Sequence, residues 1–157
     1  MIKIVHPVAG GVAVLTIAVF WLATALSELF ASAETVAAVK TAIPWGFLLL
    51  IPALAATGGS GFNLSRGRRP QLIITKIRRM AVSAANGLLV LVPSALFLAS
   101  RAQAGEFDAA FYAVQALELF AGAVNITLLG LNMRDGFKMK GRFRRPAKTH
   151  PTTSRGV

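Results

Sequence analysis

Four polar side chains recur along the last apolar stretch of the chain. Gln115, Glu118, Asn125 and Asn132, with Gly122 between them, are spaced 3, 4, 3 and 7 residues apart. That spacing puts them on one face of an α-helix, so we expect the face to point into a helical bundle. A carboxylate in apolar surroundings must be neutral, paired or hydrated. Glu118 is therefore the first candidate for holding a proton or a cation.

The other apolar stretches carry possible partners for this face. Glu28 lies near the end of the first stretch, at about the depth of Glu118, and Lys40 opens the second stretch on the same side. Lys40 is a candidate partner for either carboxylate. Asn86, in the third stretch, is a candidate for hydrogen bonds between helices, which are an ordinary packing device in membranes. Helix one offers a matching seam of inward positions, namely His6, Gly10, Ala13, Ile17, Phe20, Thr24 and Ser27 or Glu28.

A second kind of chemistry centres on His6. Met80 and Met133 fall at similar depth in the third and fourth stretches, and histidine with methionine can hold a b-type haem. The alternative is an interfacial histidine that hydrogen-bonds a neighbouring helix or lipid headgroups. The sequence lacks cysteine, which excludes thiolate metal sites, and we expect no other metal site.

These residues are carried by four apolar stretches, at 8–30, 41–58, 81–100 and 110–131. Each approaches the roughly 20 residues with which a helix crosses a bilayer. With 55% hydrophobic and 15% charged residues, the chain is predicted to be an all-α integral membrane four-helix bundle over residues 1–136. Lys3 and Ala31-Ser32-Ala33 resemble parts of a signal peptide, but the apolar run is too long for one.

The basic residues predict the orientation. With four spans, fifteen of the seventeen Lys and Arg residues fall on one side, which the positive-inside rule assigns to the cytoplasm. Both termini are then cytoplasmic, and we expect a bacterial inner membrane. The net charge of +11 thus indicates membrane orientation, and nucleic acid is not expected as a partner.

Two basic segments are expected to meet anionic lipid headgroups. The second loop continues into the third helix with its basic side chains at the interface; they are Arg66, Arg68, Arg69, Lys76, Arg78 and Arg79. Residues 137–157 lose apolar residues and gain Lys, Arg, Pro, Thr and Ser, so this tail is expected to be disordered.

Three functions fit this pattern. The first is a non-catalytic membrane subunit or scaffold that docks proteins or lipids. The second is a redox or proton-handling protein of the b-type cytochrome or quinone-binding kind, which uses His6 and Glu118. The third is an ion transporter or channel with Glu118 as its ion site, feasible for so small a chain only as an oligomer. No Ser-His-Asp, HExxH or P-loop pattern is present, so an enzyme is the less expected outcome.

Overall fold

The structure is a computed structural model that describes residues 2–65 and 70–139. All regular structure in those ranges is helical: α1 Ile2–Phe30, α2 Ala33–Ser65, α3 Pro70–Asn86, a π-helical turn Gly87–Leu91, α4 Val92–Gln103 and α5 Ala109–Met139. Helix α3, the π turn and α4 follow one another without a break and form a single span. Helix α5 continues through Met139, so the first three residues of the predicted tail are helical. Residues 66–69 and 140–157 lie outside the described residues.

Four helical segments are long and apolar enough to cross a membrane, as predicted. They cover Ile4–Phe30, Ala33–Gly61, Ile74–Gln103 and Ala109–Phe137, with 27 to 30 residues each. Large apolar side chains face outward on all four spans, for example Leu29, Leu48, Leu89 and Phe120, each more than 70% exposed. Such outward apolar faces suit a multi-pass integral membrane protein, whose solvent on that side is lipid.

The second and third spans begin earlier than the sequence indicated. Helix α2 starts at Ala33 instead of residue 41, because Lys40 is enclosed by other helices and its charge does not end the apolar segment. The third span includes the basic turn before residue 81, which continues the helix. Pro44 and Pro52 both lie inside α2, which runs through them.

A π-helical turn interrupts the third span directly before Pro93. The Val92 N–H donates to the Gly87 carbonyl, five residues back, and Pro93 has no N–H to donate. Such single turns within α-helices occur often at functional sites. Here the turn follows Asn86 and brings Leu91 to the bundle interior, where it lines a cavity.

Two short connections between helices close one end of the bundle. The Ser32 hydroxyl accepts a 3.4 Å hydrogen bond from the Thr35 N–H at the start of α2. Between α4 and α5 the chain turns at Gly105, which has a φ of 70°, a value that glycine adopts without steric cost. The two connections are held together by an apolar cluster of Val36, Leu98, Ala102 and Phe111.

The helices pack as a four-membered bundle. Helix α1 packs against α2 and α5, and α4 packs against the same two helices, whereas α3 packs against α5. The buried positions of α1 include Ala13, Ile17, Thr24 and Ser27. They follow the alternating 3- and 4-residue spacing of a helix face, so α1 turns this face toward the bundle interior.

Candidate functional site

A buried ion pair joins α2 to α5. Lys40 Nζ lies 2.7 Å from Glu118 Oε2, and the side chains are only 1% and 12% exposed. The same ammonium donates a longer hydrogen bond, 3.4 Å, to the Thr24 hydroxyl on α1. Of the two carboxylates that the sequence offered as partners for Lys40, the structure brings Glu118 into contact. Three helices therefore meet at one cation.

Glu28 adds a third charge to this cluster. It interacts electrostatically with both Lys40 and Glu118, and its Oε1 atom is buried without a hydrogen-bond partner among the described residues. One lysine thus faces two carboxylates. We call Glu28, Lys40 and Glu118 the charged triad. Because its formal charge is −1 when all three groups are ionised, a proton or a cation would neutralise it.

A triad of this kind is costly in a membrane. Removing charges from water carries a penalty of several kcal/mol per ion, which mutual attraction offsets only in good geometry. Charged side chains in membrane spans usually face the protein interior and mark ion or proton sites. The ion pair between Lys40 and Glu118 balances two of the three charges. The carboxylate of Glu28 is the group that can still accept a proton or a cation.

An apolar cavity of about 60 Å³ lies beside Glu118. Three aromatic residues line it, Phe20 and Trp21 from α1 and Phe47 from α2, and Thr24 and Glu118 contribute polar groups. The cavity is partly open at the protein surface. Glu118 is the member of the triad that borders this space.

Trp21 packs against α5 at the wall of this cavity. Its indole N–H donates a 2.9 Å hydrogen bond to the Leu119 carbonyl. A side-chain carbon added at Gly122 would lie 2.8 Å from Trp21 Cδ1, closer than carbon atoms pack. Gly122 is therefore needed for the indole to lie against the α5 backbone.

The amides predicted on α5 all point inward, but only some are hydrogen-bonded. Gln115, Asn125 and Asn132 are 3% to 6% exposed. Asn86 donates 2.9 Å and 3.2 Å hydrogen bonds to the Ala121 carbonyl and to Asn125 Oδ1. The side-chain nitrogen and oxygen of both Gln115 and Asn132 have no hydrogen-bond partner in the described part of the chain. Such groups are candidates for contact with internal water.

His6 lies at the opposite end of the bundle and is held by α2. Its Nδ1 is 3.1 Å from the Thr57 carbonyl and 3.0 Å from the Ser60 hydroxyl oxygen. A carbon added at Gly61 would lie 3.1 Å from His6 Cε1 and 3.9 Å from Met80 Cε, so His6 and Met80 approach the same glycine. A histidine that binds a metal through one ring nitrogen usually forms a hydrogen bond of this kind through the other. A histidine that only hydrogen-bonds a neighbouring helix has the same geometry.

Met133 takes a different position from Met80, because it is 43% exposed on α5. Within residues 2–65 and 70–139, no three His, Asp or Glu side chains gather into a possible metal site. The structure places Met80 beside the His6 contacts.

The six predicted headgroup residues do not share one environment. Arg79 Nη1 pairs with Asp135 Oδ2 at 2.7 Å, Arg78 is exposed, and Lys76 Nζ lies near the Gly136 backbone. Arg66, Arg68 and Arg69 lie outside the described residues. Arg79 therefore ties α3 to α5.

The cavity residues Trp21 and Phe47 were not identified from the sequence. Tryptophan in membrane proteins concentrates at the two interfaces, so a tryptophan in the middle of a span, as Trp21 is, was the available signal. No comparable signal marks Phe47, because phenylalanine is ordinary in an apolar span.

Comparison of this chain with protein-family models, with curated proteins and with solved structures gave no match.

Proposed function

We propose that the chain is a proton-handling membrane protein whose working site is the charged triad. The observation that carries the proposal is the unequal charge of the triad: one buried lysine faces Glu118 at 2.7 Å and also interacts with Glu28. A proton that adds to one carboxylate balances the charge. Loss of that proton restores the net negative charge of the triad, and Lys40 can stabilise either carboxylate in turn.

A route for protons along α5 supports this proposal. From Gln115 to Asn132 the helix rises about 25 Å at 1.5 Å per residue, most of the roughly 30 Å hydrocarbon core. Buried amides lie at both ends of this distance, and the Asn86–Asn125 pair lies between them. The amides without protein partners are suited to hold water, which relays protons between them.

The proposed orientation places both termini in the cytoplasm of a bacterial cell, with the triad toward the outer side of the inner membrane. It rests on the distribution of Lys and Arg. The basic tail beyond the end of α5, residues 140–157, is then a disordered cytoplasmic segment near anionic lipid headgroups. The working form is a homo-oligomer or a subunit of a membrane complex.

Cysteine labelling tests this orientation independently of function. Since the chain has no cysteine, Ser32→Cys and Ser154→Cys each introduce a single thiol. In inside-out vesicles an impermeant maleimide should label Ser154→Cys and spare Ser32→Cys. The opposite pattern would overturn the orientation.

Proton flux tests the function. The protein is reconstituted into liposomes that contain a pH-sensitive dye, and a potassium gradient with valinomycin drives proton entry. We expect flux that Glu118→Gln reduces at least tenfold. Glu106→Gln is the matched control, because Glu106 pairs with Arg101 in the α4–α5 turn, away from the triad. Wild-type flux equal to that of empty liposomes would refute the proposal.

The second candidate function is the non-catalytic subunit or scaffold. The observation that favours it is a set of helical glycines with open space where a side chain would be, namely Gly11, Gly58, Gly59 and Gly130. Small residues let helices of other chains approach closely. Under this proposal, bulky substitutions such as Gly59→Leu should abolish a chemical cross-link to a partner chain in native membranes. Proton flux would be absent.

A redox function is tested separately by an absorption spectrum. His6 and Met80 approach the same glycine, so a b-type haem held by both would give Soret and alpha bands that His6→Ala removes. A colourless protein, purified from cells supplied with haem precursor, would exclude this alternative.

A further inference from the structure

We infer that the cavity beside Glu118 binds the head of a small organic cation, such as an alkyltrimethylammonium, and that the cation replaces Lys40 on Glu118 while Lys40 moves to Glu28. The inference deepens the proposed function and rests on Glu118 as its working site. It names the chemical class of ligand that competes with the internal lysine.

The lining of the cavity matches a cation with an apolar surface. Phe20, Trp21 and Phe47 supply three aromatic rings, and Glu118 supplies a carboxylate. The face of an aromatic ring attracts cations, and several such rings recognise quaternary ammonium groups. The Glu118 carboxylate would repel an anion, and it would not attract a neutral apolar molecule.

The size of the cavity favours a small head. Its volume of about 60 Å³ holds roughly four groups of the size of water, at about 10–15 Å³ each. A trimethylammonium head has four heavy atoms, whereas a substituted quinone ring has at least twice as many. Because the cavity is partly open, an attached alkyl chain can extend out of it.

The charged triad gives Lys40 an alternative partner when a ligand cation takes its place beside Glu118. In the structure Lys40 forms an ion pair with Glu118, while the buried Oε1 of Glu28 has no hydrogen-bond partner among the described residues. The Lys40 ammonium contacts Thr24, and Glu28 lies four residues further along the same face of α1, so the second carboxylate is one helical turn from a present contact of Lys40. When Lys40 pairs with Glu28, Glu118 is left for a ligand cation. The triad plus cation is then neutral.

Trp21 makes this binding directly measurable. The chain has two tryptophans, and Trp45 is 72% exposed and away from the cavity lining. In a Trp45→Phe background the fluorescence reports Trp21 alone. The probe is hexyltrimethylammonium, titrated into purified protein in mild detergent. The neutral control is 2,2-dimethyloctane, which replaces the ammonium nitrogen by carbon and keeps the shape.

The expected results follow from competition for Glu118. The ammonium should shift or quench Trp21 emission saturably, and the neutral analogue should not. Lys40→Met should tighten binding at least tenfold, because the internal competitor is gone. Glu28→Gln should weaken it several-fold, because Lys40 loses its alternative partner. Binding should disappear in the Lys40→Met, Glu118→Gln double variant, which leaves neither member of the ion pair charged and so serves as the folded control.

Two results would overturn the inference: equal binding of the ammonium and its neutral analogue, or equal binding by Lys40→Met and the double variant. Saturable binding without proton flux would keep the cation site and reject proton handling. Flux without binding would keep the proposed function and reject the cation site.

Discussion

Lys40 and Glu118 lie 78 positions apart in the chain and meet as an ion pair, with 2.7 Å between Nζ and Oε2, in the interior of the bundle. Their contact joins the second span to the fourth, and Thr24 adds the first. The charges that offer a function thus also hold three helices in register.

Removing one member of the pair should destabilise the protein more than removing both. Lys40→Met or Glu118→Gln alone leaves a buried charge or polar group without its partner, which costs about 3–5 kcal/mol for buried pairs. The double variant should recover at least half of that loss. Reversible unfolding in mixed micelles measures the three free energies. Additive losses would show that the pair contributes nothing as a pair.

Two glycines of α2 should respond oppositely to alanine. A side-chain carbon at Gly46 would overlap the Phe20 ring, and such overpacking costs about 1–3 kcal/mol. Gly59 has open space around it, so alanine there should stabilise the helix by up to about 1 kcal/mol. Thermal unfolding of both variants in one detergent makes the comparison.

The smaller side chain of Phe20→Leu provides the control for the Gly46 result. Combined with Gly46→Ala, it should restore most of the lost stability, because the ring that the new methyl group meets is gone. Failure of this rescue would mean that Gly46 matters for its backbone conformation and not for its contact with Phe20.

Asn86 should contribute measurably to the packing of the third span against α5. Its amide donates to Ala121 and Asn125, and hydrogen bonds between membrane helices contribute about 0.6–2 kcal/mol. Asn86→Ala should lose an amount in this range. Asn63→Ala, at an exposed position of α2, is the matched control and should lose nothing. Equal effects of the two substitutions would contradict the assigned role.

The start of α5 should make stability depend on pH. The Phe111 N–H donates a 2.9 Å hydrogen bond to Asp108 Oδ1, and this bond, with the nearby Arg101 guanidinium, holds the pKa of Asp108 below its ordinary value. The unfolded chain then binds a proton at higher pH than the folded chain. The contribution of Asp108 is therefore complete above the ordinary pKa of about 3.9 and is lost as the pH falls through the lower, folded value.

Melting temperatures between pH 6 and pH 2.5 check this prediction. The wild type should lose stability toward the acid end. Asp108→Asn keeps a good helix cap but cannot titrate, so its curve should be flatter. Glu34→Gln, on α2 and outside this turn, should follow the wild type. A wild-type slope in Asp108→Asn would show that other groups cause the acid loss.

The start of α2 shows what could not be predicted from the sequence. The apolar pattern alone predicted a start at residue 41, because a lysine in an apolar segment normally marks its boundary. In the structure Lys40 is enclosed, and the helix continues outward to Ala33. The boundary shifted because a partner 78 positions away neutralises the charge, and no local pattern contains that information.

The His6 region shows a similar limit. The sequence placed His6, Met80 and Met133 at comparable depth from their positions along the spans. The sequence does not show how each helix is rotated about its own axis, because that rotation is set by packing. The structure brings His6 and Met80 to Gly61 and leaves Met133 partly exposed.

The sequence by itself determined four apolar helices and the inward face of α5, since bilayer thickness fixes the length of a span and the 3.6-residue helical repeat fixes which residues share a face. Only the tertiary structure decided that Lys40 contacts Glu118, that Trp21 packs on Gly122 and that aromatic rings surround a cavity beside the carboxylate. These contacts depend on the order, rotation and depth of packed helices. Such quantities arise from the fit of many side chains at once and not from the period of any one segment.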